Sequence, residues 1–387
     1  MMATHTRKDF RGAFDRLGAA LAAPLLLVTL VLSLLAFTGA ASAQQAVRTG
    51  DEVTSETPVD GLVPGNTLGD TSDADYWRAV RSGTQGFVSI PDKKAGTLVQ
   101  SEGEAWRSFR NGPLSLYASW AILGTIVVLC LFYALRGRIR IEHGRSAATI
   151  TRFAWIERFG HWMTAISFVI LGLTGLNVLY GRYALRPVIG DEAFGFLTQV
   201  GKYLHNYLAF AFMAGLVMIF VMWVRHNLPD RTDGKWLLQA GGLFSKKLHP
   251  PAKKFNAGQK LIFWSVILGG LSLSLSGWAL LFPFTTHFFS DTFSHVNWLF
   301  GTDLPTSLSV LQEQQINQLW HTIMAIFMVC VILAHIYIGS IGMEGAFDAM
   351  GSGEVDLNWA KEHHSLWVDE VQEREAGRRS TAAQPAE

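Results

Sequence analysis

Four histidines stand where a histidine is costly. Of the twelve in this chain, only His161, His205, His321 and His335 fall within long apolar runs, and the others sit in loops, tails or at a helix end. An imidazole surrounded by hydrocarbon must be bonded to something, so such residues mark metal ligation or proton relay; for any one of them alone, a hydrogen-bonded core position is an equal reading. His335 follows His321 by 14 residues, which is about four turns and roughly 21 Å of helix, so both rings leave one helix from nearly the same face. One helix can then serve two sites, provided neighbouring helices supply the opposite ligands.

The elements that must position these rings are membrane spans. The chain has 387 residues, 49% hydrophobic and only 16% charged, which is more apolar surface than one water-soluble core would hold. Five charge-free runs, at about Leu114–Leu135, Phe159–Tyr180, Tyr203–Val224, Leu261–Phe284 and Leu319–Gly342, are each long enough to cross hydrocarbon as a helix. The net charge is +1, with Lys and Arg kept in loops, which argues against a nucleic-acid partner. The two cysteines, Cys130 and Cys330, lie inside apolar runs, so disulfide frameworks, zinc ribbons, iron–sulfur clusters and covalent c-type haem are all disfavoured.

The front of the chain reads differently. Arg7, Lys8, Arg11 and Arg16 precede an apolar run to Ala40, then Ala41-Ser42-Ala43 before Gln44; residues 1–43 read as a secretory signal peptide or an uncleaved anchor. Residues 44–112 are polar, without a sustained helix or strand period, and read as a periplasmic insert. An additional transmembrane helix over 113–136, a four-helix domain over 150–345 and a cytoplasmic tail over 346–387 complete the expected organisation. The fold class is therefore an all-α integral membrane protein of the inner membrane.

Loop charge sets the orientation. Arg136, Arg138, Arg140, Arg145, Arg152 and Arg158 separate the first two runs, and Arg225, Arg231, Lys235, Lys246, Lys247, Lys253, Lys254 and Lys260 separate the third and fourth; these loops are expected in the cytoplasm. Residues 283–318 hold no Lys or Arg and belong outside. His161 and His335 then lie near the cytoplasmic face and His205 and His321 near the outer one. Two pairs at two depths is the arrangement that two bis-histidine haems require, while a haem-free membrane anchor or transporter, in which the four histidines relay protons or bind a metal, stays open. Gly172, Gly175 and Gly215 would admit a flat macrocycle or a neighbouring helix, and Arg158, one turn before His161, is a candidate partner for a haem propionate or an ordinary positive-inside charge.

These residues and several loop motifs resemble the gamma, or cytochrome b, subunit of membrane-bound respiratory formate dehydrogenase over roughly Arg152 to Trp367. The segments that carry the likeness are Glu157-Arg158-Phe159-Gly160-His161-Trp162, His226-Asn227-Leu228-Pro229-Asp230, Asn256-Ala257-Gly258-Gln259-Lys260, the His321 and His335 pair, and Trp359-Ala360-Lys361-Glu362-His363-His364. The resemblance implies two haem b groups, one held by His205 and His321 nearer the periplasm and one by His161 and His335 nearer the cytoplasm. It implies an iron–sulfur beta subunit and a molybdopterin-containing alpha subunit as partners, and menaquinone or ubiquinone as acceptor beside the cytoplasmic haem. There Asn256 and Gln259 match the quinone-site segment, although a plain loop cap before the fourth run explains the same residues. Compact members begin near Thr151, so the front of this chain departs from the pattern. A cytochrome b subunit of a nickel–iron hydrogenase or related molybdenum reductase is the alternative within haem proteins.

Overall fold

The computed structural model describes residues 86–87, 97–98, 103–245 and 248–382. The segment expected as a signal or anchor, and most of the insert, lie outside the described residues.

Among the described residues, five helices are long and apolar enough to cross a membrane. We label them, with three further helices, in chain order: α1 Ser115–Arg136, α2 Trp155–Ala184, α3 Asp191–Trp223, α4 Ala257–Leu281, α5 Phe288–Phe300, α6 Val310–Tyr337, α7 Leu357–His363 and α8 Ser365–Ala382. All five expected spans are present, but two begin well before their apolar runs. α3 starts at Asp191 rather than Tyr203, and α6 at Val310 rather than Leu319. Charge ends an apolar run without ending the backbone hydrogen bonding, and Ser309 fixes the earlier start of α6 by accepting from Gln312 N while the Gln312 side chain caps Ser309 N. Residues 283–318 also hold α5, whose first turn is closed by the buried Glu313 carboxylate accepting from Phe289 N and Ser290 N.

The spans pack in series, α2 on α3, α3 on α4, and α4 on α6. α1 closes the circuit, since its small stripe Ala118, Ile122 and Ile126 is buried against Leu176, Leu179 and Tyr180 of α2 and Ile326, Val329, Cys330 and Leu333 of α6. Its opposite face, with Tyr117, Val128 and Leu135, is exposed, as a lipid-facing side must be. The Tyr180 hydroxyl donates to Ser115 O at 2.8 Å and pins the top of this contact.

The segment beyond α6 is more than a tail. Strand β1, Thr149–Thr151, pairs antiparallel with β2, Glu354–Asp356, and draws Val355, Trp359, Ala360, Trp367 and Val368 into one buried cluster with Phe153, Ile219, Trp223, Phe255 and Phe263. This cap closes the end of the bundle on which the Arg- and Lys-rich loops converge, here called the basic end. Lys260, almost fully buried there, donates to Asp230 Oδ2 at 3.1 Å and Asp233 Oδ2 at 2.8 Å, tying the 228–233 turn to the start of α4.

Candidate functional site

The four intramembrane histidines meet as two pairs. His161 of α2 faces His335 of α6 with ring centroids 6.2 Å apart and planes at 61°. His205 of α3 faces His321 of α6, again at 6.2 Å, with planes at 62°. Two imidazoles that share one metal, each through a bond of ~2 Å, have centroids about 6 Å apart once the ring radii are added. His249 and His363 in the basic-end cap also stand 6.0 Å apart, so what sets the two intramembrane pairs apart is that all four rings project from apolar spans at two levels of one bundle. The sequence places the first pair nearer the basic end and the second toward the opposite end, and the helices do so too, although His205 and His321 lie about four and three turns inside α3 and α6 rather than at their starts.

The surroundings of the rings suit ligation. His205 Nδ1 lies 2.8 Å from Thr174 Oγ1, and His321 Nδ1 lies 2.9 Å from Ser276 Oγ. The next residue in each helix is a glycine: a Cβ at Gly175 would stand 3.6 Å from His205 Cε1, and one at Gly277 would stand 3.4 Å from His321 Cε1. Each pairing of hydroxyl and glycine thus holds one ring by its outer nitrogen and leaves room beside it. Ser276, Gly277 and Thr174 escape a reading of single residues; the recurrence of Leu173-Thr174-Gly175 and Leu275-Ser276-Gly277 in two apolar helices is the pattern that would have found them. In the other pair, His161 Nδ1 is buried with no hydrogen-bond partner.

Of the glycines, Gly175 faces a histidine ring, Gly215 seats α3 against Thr164 of α2, and Gly172 approaches only Val329. Arg158 donates from Nη1 to Gly351 O at 2.7 Å, while its Nε is buried without a partner. Asn256 and Gln259 form a reciprocal cap at the start of α4: Asn256 Oδ1 accepts from Gln259 N, and Gln259 Oε1 from Asn256 N. Arg152 Nη2 reaches Gln259 Oε1 as well, at 3.3 Å. Both amide oxygens are therefore committed as acceptors, and what the pair retains for a ligand is its NH2 groups.

Behind this turn Arg152 is enclosed by aromatic faces, its guanidinium carbon 5.1 Å from the Trp359 ring centre and 5.6 Å from that of Trp367. Burial lowers its pKa to about 9, which leaves it charged at neutral pH. The motif from Trp359 to His364 works in the same cap. Glu362 accepts from the backbone of Glu142 and His143, and His364 Nδ1 donates to Lys253 O at 2.7 Å.

Residues 152–353, which contain all four histidines, match the family model described as prokaryotic cytochrome b561. Among curated relatives, the nitrate-inducible formate dehydrogenase cytochrome b556 subunit of Escherichia coli is 28% identical over 233 residues, 60% of this chain and 95% of that protein. The formate dehydrogenase cytochrome b556 subunit of Haemophilus influenzae is 25% identical over 57% of this chain and 83% of its own length. A probable Ni/Fe-hydrogenase B-type cytochrome subunit of Azotobacter vinelandii is 26% identical over 47% and 76%. α1 and the residues before it fall outside the matched family segment. With its five apolar helices and its paired histidines, the chain belongs to the prokaryotic cytochrome b561 family of multi-pass membrane electron-transfer proteins.

Proposed function

We propose that the chain is the dihaem cytochrome b subunit of a formate dehydrogenase, with His205 and His321 ligating one haem b and His161 and His335 the other. The observation that carries this reading is the pair of 6.2 Å ring separations at two levels of one bundle. The partner assignment rests on the names of the two formate dehydrogenase relatives. When bound, the haems supply one-electron redox chemistry between formate-oxidising partners and a quinone. The protein's own residues supply the ligands, the depth and a low-dielectric surround. α1 walls off the α2–α6 side from lipid.

In this reading the basic end faces the cytoplasm of a cell with an inner membrane, since Lys and Arg collect on the inner side. The partners, an iron–sulfur beta subunit and a molybdopterin-containing alpha subunit, dock outside. A menaquinone or ubiquinone accepts electrons near His335 at the basic end, where the NH2 groups of Asn256 and Gln259 are the candidate donors to a quinone carbonyl. The chain itself does not touch formate. Moving one charge across ~100 mV is worth about 2.3 kcal/mol, so electron passage from the outer to the inner side conserves energy as membrane potential.

Pyridine haemochrome assay of the purified chain tests the reading, with two haems b per polypeptide expected. His205→Ala and His321→Ala should each remove the same haem, and His161→Ala and His335→Ala the other. Retention of both haems in His321→Ala refutes the ligand assignment, and a reduced-minus-oxidised spectrum without b-type bands refutes haem altogether. The Azotobacter relative keeps a hydrogenase partner as the second reading; co-purification with a nickel–iron rather than a molybdopterin subunit would decide for it.

A further inference from the structure

The two ring pairs share a separation and an interplanar angle, yet they differ in what holds the outer nitrogens. At His205 and His321 each Nδ1 lies on a hydroxyl that is already spent as a donor. Thr174 Oγ1 donates to Ile170 O at 2.8 Å with Leu171 O at 3.0 Å, and Ser276 Oγ to Ser272 O at 2.9 Å with Leu273 O at 3.2 Å. A hydroxyl has one proton, so these oxygens can only accept from the rings. Nδ1 of each ring is thereby the protonated nitrogen, and Nε2 is left with its lone pair for a metal. At the other pair, His161 Nδ1 is buried without a partner, and among the described residues no hydrogen bond reaches the His335 ring.

Resting on the two-haem reading above, we propose that Thr174 and Ser276 are positioning residues that set redox poise, making the haem held by His205 and His321 the lower-potential member of the two. An imidazole whose outer N–H donates to a good acceptor is a stronger donor through its other nitrogen, and an electron-richer iron favours the ferric state. Each hydroxyl is a better acceptor because it is itself polarised by a carbonyl. A single electron shared between the two sites therefore rests at the basic end, which is the end assigned to the quinone.

The test uses the full chain purified in detergent with its haems, poised at known potentials while the two optical components are followed. In Thr174→Val and in Ser276→Ala, the reduced-to-oxidised ratio of the lower-potential component at a fixed potential should rise on the order of tenfold, equivalent to ~59 mV for one electron. The higher-potential component should hold still. The substitutions act on opposite ligands of one iron, so each must move the same component; Thr174→Ser and Ser276→Thr, which keep a hydroxyl, should return it. A lower component that stays in place in the double variant, or a higher component that moves instead, overturns the inference alone. Fewer than two haems per wild-type chain would instead defeat the reading on which it rests.

Discussion

α2 and α3 approach closely where Gly215 faces Thr164, one turn along α2 from His161. A methyl group at 215 would sit 2.3 Å from Thr164 Oγ1 and 3.2 Å from both Cα and Cβ of the same residue. Turning the hydroxyl away does not relieve this, because Oγ1 donates to Gly160 O at 2.8 Å in a buried position, and the main-chain carbon cannot turn. The helices must part instead. Overpacking of this kind costs ~1–3 kcal/mol and the disturbed buried hydrogen bond about 1 more, so Gly215→Ala should lose roughly 2–4 kcal/mol. Thr164 lies one turn from His161, so the haem assigned to His161 and His335 should be the first to loosen. Thermal unfolding and haem content of the detergent-solubilised chain read both effects. Gly160→Ala on the same interface is the control: its methyl would meet Met222 Cε at 2.9 Å, the far end of a flexible side chain that can move aside. Adding Thr164→Ala to Gly215→Ala should recover part of the loss, a coupling that a double-mutant cycle measures. The reasoning fails if Gly215→Ala is no less stable than Gly160→Ala, or if the two losses merely add.

The basic-end cap should be acid-sensitive. Burial holds His363 at a pKa of about 4 and His364 well below the ordinary histidine value, so the unfolded chain takes up these protons first as pH falls. Stability is then full above pH ~6.5 and declines from there toward pH 4, by roughly 3 kcal/mol for His363 alone. Unfolding midpoints at pH 7.5 and 5 check the sign, and His363→Gln should flatten the slope; a midpoint that does not fall on acidification contradicts it. Lys260→Met should leave Asp230 and Asp233 without their buried cation and cost ~3–5 kcal/mol, seen as earlier proteolysis of the 228–238 segment. Gly353→Ala should weaken the β1–β2 ladder, since Gly353 has φ +87° and its Cβ would meet Phe153 O at 2.5 Å; an unchanged melting profile would show that the ladder tolerates the strain.

The histidine pairing was legible because hydropathy reports depth and the 14-residue spacing reports face. Together they pair His161 with His335 and His205 with His321 without any knowledge of contacts. Helix starts were less legible. Lys202 ends the apolar signal at Tyr203, yet helical hydrogen bonding needs no apolar side chain and α3 runs back through it to Asp191. The α5 helix, and the folding of Val355 to Val368 into the core, depend on partners far away in the chain, such as Glu313 for α5 and Phe153 for Trp359. Asn256 and Gln259 carried two readings from sequence, and the observed cap uses their oxygens in the plainer of the two.

What the sequence determined by itself was the solvent and the pairing of the rings: a chain this apolar goes to lipid, and two histidines 14 residues apart on one lipid-spanning helix face partners at two depths. Only the tertiary structure decided which hydroxyl meets which ring, that α1 closes the α2–α6 side, and that the C-terminal segment seals the basic end. The physical reason is range. Burial and periodicity are averages along one helix, whereas a 2.8 Å hydrogen bond between Thr174 and His205 exists only once two helices have chosen their rotation and height against each other.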